Sequence, residues 1–165
     1  MSRNDITMAT PERYGVVRRH QVAAGGLTTI KAGEPVLKSL GSAVVAIAST
    51  NTPVVATDFW AGIAASDSTD TVAAAGYVDV IEIDSRDDWF ISPKVAATFG
   101  LGSTPVQATY NALVGDRVLL DLTSSAWTIL AADGATYGCV IQNSDVNVNF
   151  GKVKFSFRNG VSYLV

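Results

Sequence analysis

Val146-Asn147-Val148-Asn149-Phe150-Gly151-Lys152-Val153-Lys154-Phe155-Ser156-Phe157-Arg158-Asn159-Gly160 is the stretch that decides the fold class. Apolar side chains fall on even positions before Gly151 and on odd positions after it, a period of two that belongs to half-buried strands. A strand keeps its buried face across such a change of parity only by absorbing one extra residue. Glycine is the residue best suited to that, so a bulge or bend is expected at Gly151. Asn159-Gly160 is a type I′ hairpin signal, which makes Val161-Ser162-Tyr163-Leu164-Val165 the returning strand and keeps the last residue in the sheet.

Working upstream, the same period recurs. Val118, Leu120 and Leu122 alternate with Arg117, Leu119 and Asp121, Ser124-Ser125 can turn the chain, and Trp127 and Ile129 start a return strand. A second return covers residues 137–141, after an Asp133-Gly134 turn. Residues 76–84 alternate with Val78 and Val80 on one face and Tyr77, Asp79, Ile81 and Ile83 on the other, a strand covered on both sides except at Asp79. Short strand-like pieces at 27–30 and 36–38 flank the turn Lys31-Ala32-Gly33-Glu34-Pro35, and 43–49 is a short buried run. One helix signal stands out: Thr104 as N-cap, Pro105 at the first helical position, Gln107 three residues after the cap, then Val106, Tyr110 and Leu113 at helical spacing and Gly115 as the stop. Many short strands with frequent turns make the expected fold all-β, a mainly antiparallel barrel or sandwich with one short helix near 104–114. Residues 1–26, broken by Pro11 and ending in Ala23-Ala24-Gly25-Gly26, read as an extended N-terminal arm, and 27–165 as the β-rich body.

Composition narrows the function. The 165 residues suit one domain plus an arm, and only 16% are charged, against roughly 25% in an average soluble domain. A chain with so few charges is expected to cover part of its surface with partners. No apolar stretch approaches the length of a membrane helix, and Met1-Ser2-Arg3-Asn4-Asp5 is not followed by a signal-peptide core, so synthesis in a cytoplasm is expected. The single Cys139 excludes an intramolecular disulfide and a cysteine zinc site, and its apolar setting makes it a buried hydrophobe. The net charge of −3 argues against nucleic acid as the main partner. Within residues 1–20, four arginines against Asp5 and Glu12 give +2, which leaves −5 on the rest.

The motifs for catalysis are thin. His20 is the only histidine, follows Arg18-Arg19, and lies far from any Gly-x-Ser-x-Gly elbow, which the chain lacks; a surface or interface role fits it better than a catalytic one. Asp67-Ser68-Thr69-Asp70 and Asp84-Ser85-Arg86-Asp87-Asp88 lack calcium-loop spacing and read as solvated turns, with a weak cation site as the alternative. Gly100-Leu101-Gly102-Ser103-Thr104-Pro105 has no third glycine and no Gly-Lys-Ser/Thr, so it is a lead-in to the helix rather than a phosphate loop. Trp60, Trp89 and Trp127 each sit in an apolar context and are expected in the core or a subunit contact rather than on a glycan-binding face. No catalytic residue, cofactor or metal is expected.

Several segments resemble the small decoration, or cement, proteins of tailed-phage heads: residues 30–38 (Ile30-Lys31-Ala32-Gly33-Glu34-Pro35-Val36-Leu37-Lys38), 59–67 (Phe59-Trp60-Ala61-Gly62-Ile63-Ala64-Ala65-Ser66-Asp67), 75–80 and 114–120. The likeness spans residues 28–122 in pieces and carries no catalytic motif. It implies a non-enzymatic virion protein on the capsid outer surface, commonly trimeric, that bridges major capsid protein subunits. An arm without its own core gains order by strand addition to a partner, which makes Arg3, Ile6, Met8, Arg13, Tyr14, Val16, Val17, Arg18, Arg19 and His20 the expected capsid-binding residues. The alternatives are another virion structural protein, such as a tail-tube or head–tail component, and a carbohydrate-binding β module.

Overall fold

The alternating segments fold into two β-sheets joined by one apolar core. The structure, a computed structural model, describes residues 7–8, 16–24, 30–39, 41–46, 58–82, 88–91, 96–123, 126–131, 139–143, 145–147 and 151–157. Its strands are β1 (Thr7–Met8), β2 (Val17–Val22), β3 (Pro35–Ser39), β4 (Val44–Ala46), β5 (Asp58–Ala64), β6 (Gly76–Glu82), β7 (Asp88–Ile91), β8 (Arg117–Thr123), β9 (Ala126–Ala131), β10 (Cys139–Ile141) and β11 (Val153–Phe157). A 3-10 turn (Ala96–Phe99) and one helix, α1 (Gln107–Leu113), lie between β7 and β8. The expected all-β class with one short helix is what the chain adopts.

The first sheet has six strands in the order β1-β7-β11-β10-β8-β9, every pair antiparallel. Its registers put Leu120 opposite Ile129, Cys139 opposite both Val118 and Phe157, and Phe155 opposite Ile141 and Trp89. Period-two alternation therefore places all of these side chains on one face, and all are buried. The second sheet is a barrel, β2-β4-β3-β5-β6, antiparallel except for β2 and β4, which run parallel and, among the described residues, meet at the single pair Val22–Val44. Its interior holds Val22, Ile30, Val36, Val44, Ala61, Ala64, Val78 and Val80.

Leu37, Trp60 and Ile63 of the barrel belong instead to the cluster on the six-stranded sheet, with Trp89, Trp127, Phe155 and Phe157. A bulge makes this possible. Trp60 pairs with Leu37 but Gly62 with Val36, so the register slips between Val36 and Leu37 and the even-numbered Trp60 shares a face with the odd-numbered Ile63. Gly62 has φ +150, and a Cβ there would lie 2.0 Å from the Ile81 carbonyl oxygen, so only glycine fits.

Three expectations need correction. The arm does not extend to residue 26: β2 pairs with β6 over six residues, from Val17–Ile81 to Val22–Gly76, so 17–22 is barrel wall. The helix begins later than the capping signal implies, because Val106 is the N-cap, extended at φ −115 and ψ 161 with no side-chain cap, and Thr104 is not. Val146 and Asn147 form a turn rather than a strand, and Val146 packs on the main core. Gly151, at φ +75, makes the expected bend immediately before β11, whose Val153, Phe155 and Phe157 are buried as the odd parity requires. The Asp133-Gly134 and Asn159-Gly160 turns, residues 161–165 and residues 83–87 lie outside the described residues.

Candidate interaction surface

The residues expected to bind a partner are best followed along β2. Val16 and Val17 are more than half exposed, which is unusual for aliphatic side chains at the start of a strand. Alternation sends Arg18, His20 and Val22 to the side of Val78 and Val80, the barrel interior, and Val17, Arg19 and Gln21 to the outer side with Tyr77, Asp79 and Ile81. Val22 is buried, but Arg18 and His20 lie where the interior opens, and both turn to the terminal residue of β6. Arg18 Nε is 3.0 Å from Glu82 Oε2 and His20 Nε2 is 3.5 Å from Glu82 Oε1, the latter too long for a strong hydrogen bond.

On the outer side Arg19 grips Asp79 with two hydrogen bonds, Nε to Oδ1 at 2.9 Å and a terminal nitrogen to Oδ2 at 3.2 Å. The pair raises the guanidinium pKa and holds the Asp79 carboxyl below its usual range, first through that hydrogen bond. Both groups stay exposed, so the pair orients the surface more than it stabilises the fold. Burial, helped by the nearby Lys38 charge, lowers the His20 pKa despite Glu82, so the imidazole is neutral at pH 7.

Met8 lies in β1, opposite Trp89 at the edge of the six-stranded sheet. Arg3, Ile6, Arg13 and Tyr14 lie outside the described residues. The structure thus joins Val17, Arg18, Arg19 and His20 into one strand and separates them from Met8. The reading of residues 1–26 as an arm missed their partners, Asp79, Glu82 and Tyr77. Asp79 offered a signal: a lone carboxylate on an otherwise apolar strand face asks for a cation on the neighbouring strand.

The run Asp67-Ser68-Thr69-Asp70 is a latch rather than a solvated turn. Asp67 accepts from the Ala32 backbone N–H at 2.9 Å and from Lys31 Nζ at 3.0 Å, which lowers its pKa. Ser68 Oγ accepts the Ile30 N–H at 3.0 Å and hydrogen-bonds Asp70, which is buried. Thr69 exchanges hydrogen bonds with the backbone of Tyr77. These carboxylates hold the 31–34 turn against the loop before β6, and no group of three or more metal-ligating side chains occurs among the described residues. The loop they anchor carries Val72, Ala73, Ala74 and Ala75 outward, all exposed.

Other groups singled out by the sequence are in the core. Trp60, Trp89 and Trp127 are at most 2% exposed, which removes them from any glycan-binding face. Cys139 is buried, and desolvation pushes its thiol pKa far above the ordinary value, so it is inert in the folded chain. Where β2 and β4 part, His20, Gln21, Lys38, Gly41, Ser42, Ala43 and Val44 line a polar cleft of about 190 Å³.

No family model, curated protein or solved structure matches the chain.

Proposed function

We propose that this chain is a structural virion protein that binds the outer surface of a phage capsid and stabilises it by bridging major capsid protein subunits, without catalysis of its own and as a homotrimer. The observation that supports this best is the outer surface of β2 and β6. It presents Val17, Gln21 and Tyr77 around an ion pair that neutralises itself, beside the apolar 72–75 loop. Exposed apolar groups rimmed by satisfied polar ones suit a protein partner. The chain's basic cluster is directed at its own carboxylates, Asp79 and Glu82, rather than set out as a phosphate-binding stripe.

The reading also draws on the low charge content and on the decoration-protein likeness of residues 28–122. A platform with one core across two sheets can transmit load between the subunits it touches. Bridging contacts of this kind oppose internal pressure because separating two capsid subunits requires breaking them too.

The test is co-sedimentation of the purified protein with expanded empty capsids. Saturable binding at a fixed ratio is expected, and binding should weaken when residues 1–15 are deleted, a truncation that spares the barrel. Polymerisation of the protein alone into tubes would replace the decoration reading with a tail-tube role. Failure to bind any capsid surface would end it.

A further inference from the structure

The two edges of β2 are held very unequally. On one edge β6 pairs with β2 over six residues, and Glu82 N–H donating to the Val16 carbonyl at 2.9 Å makes the hydrogen-bonded pairs those of the even-numbered β2 residues. On the other edge β4 meets β2, among the described residues, at the single pair Val22–Val44. His20 lines the cleft that opens at this seam. Its Nε2 is shut off from solvent and, among the described residues, has no hydrogen-bond partner, with Glu82 Oε1 standing 3.5 Å away.

The charges around the imidazole are as one-sided as the pairing. Glu82 faces it from β6, but the other oxygen of that carboxylate already holds Arg18 Nε at 3.0 Å. Lys38 of β3 lines the same cleft as His20. Residues 41–46, which form β4 and the turn before it, include no titratable side chain, and Arg19, Asp79 and Tyr77 belong to the outer side. A proton on His20 therefore draws β2 toward Glu82, where six residue pairs already hold it, and sets a second cation against Lys38, where one pair closes the barrel.

We infer that the β2–β4 seam is a proton-operated joint, closed while His20 is neutral and parted when His20 takes up a proton, with β2 staying on β6. The inference does not rest on the capsid reading. Opening uncovers Val22 and Val44, so acid turns part of the barrel interior into surface. Burial and the Lys38 charge hold the folded imidazole below its ordinary pKa of 6.5, so the open seam binds the proton more tightly than the closed one. The closed state is favoured in full above that ordinary value, and loses up to about tenfold in its equilibrium for each pH unit below it until the lowered folded value is passed.

Amide exchange of the full chain, followed by NMR at about pH 7.5 and about pH 5 and divided by each amide's intrinsic rate, reads the joint directly. Protection of the amides that bridge Val22 and Val44 should fall about tenfold on acidification, while that of Arg18, His20 and Glu82 on the β6 side should hold within about twofold. His20→Gln, neutral at both pH values, should keep the seam protected throughout. Lys38→Gln should raise the imidazole midpoint, read from its ring proton shifts, and shrink the loss at the seam. Seam protection independent of pH in the wild type, an equal loss along the β2–β6 ladder, or the same loss in His20→Gln overturns the inference. So does a Lys38→Gln midpoint no higher than that of the wild type. If His20→Gln fails to fold, the wild-type profile and the Lys38→Gln midpoint decide. No capsid enters these measurements, so the two proposals fail separately.

Discussion

Phe157 is the joint between the two sheets, and truncating it tests whether they form one cooperative body. Its ring centroid lies 5.1 Å from Trp60 on the barrel, 5.1 Å from Phe155 and 6.1 Å from Trp89 on the six-stranded sheet, and the side chain is 1% exposed. Phe157→Ala removes a fully buried ring at a cost of roughly 3 to 5 kcal/mol from lost burial and the cavity left behind. Loss of three tilted or edge-on ring contacts keeps the expected value off the bottom of that range, at about 4 kcal/mol. With a urea m-value of about 2 kcal/mol per molar, the unfolding midpoint should fall by about 2 M. Tryptophan fluorescence reports Trp60, Trp89 and Trp127 together, and far-UV circular dichroism reports the strands. The two signals should shift as one transition, and Phe157→Leu should lose about half as much. A shift below about 0.5 M, or separate transitions for the two probes in the wild type, would refute a shared core.

Gly62→Ala should destabilise by about 2 kcal/mol or more in thermal unfolding, because the new Cβ meets the Ile81 carbonyl and the backbone is held at φ +150. An unchanged melting temperature would mean that the β5 bulge is not as described. Asp67→Asn probes the latch through pH. The folded carboxyl has a lowered pKa, so its contribution is complete above the ordinary carboxylate pKa and is lost as the pH falls through the folded value. Between neutral pH and about pH 3 the wild type should therefore lose more melting temperature than the variant. Parallel curves would show that the Ala32 and Lys31 contacts contribute nothing.

What the sequence disclosed follows from which forces are local. The β8–β9 hairpin and β11 were legible because their buried faces alternate with period two in Val118, Leu120, Ile129, Val153, Phe155 and Phe157. Strand β2 was hidden. Its inward positions are Arg18, His20 and Val22, the first two polar because the barrel opens there, and its stability comes from β6, about sixty residues away. The bulge at Gly62 was hidden for the opposite reason: Trp60, Ala61, Gly62 and Ile63 are all apolar or small, so a change of parity leaves no trace. At the helix, Thr104 and Pro105 satisfied a local capping rule, but Pro105 is buried and Val106 stays extended, so the first turn forms two residues later. The loop 67–70 looked solvated because its residue types are polar. Its role depends on the backbone N–H groups of Ile30 and Ala32, which no pattern within the loop could reveal.

The correction at β2 changes how attachment by the N-terminal part of the chain has to work. A free arm pays for its own ordering when it binds, at roughly 1 to 2 kcal/mol per residue of backbone, whereas Val17 to Gln21 are already extended and held by β6. A partner that docks on this strand meets a template whose entropy cost fell on folding rather than on binding.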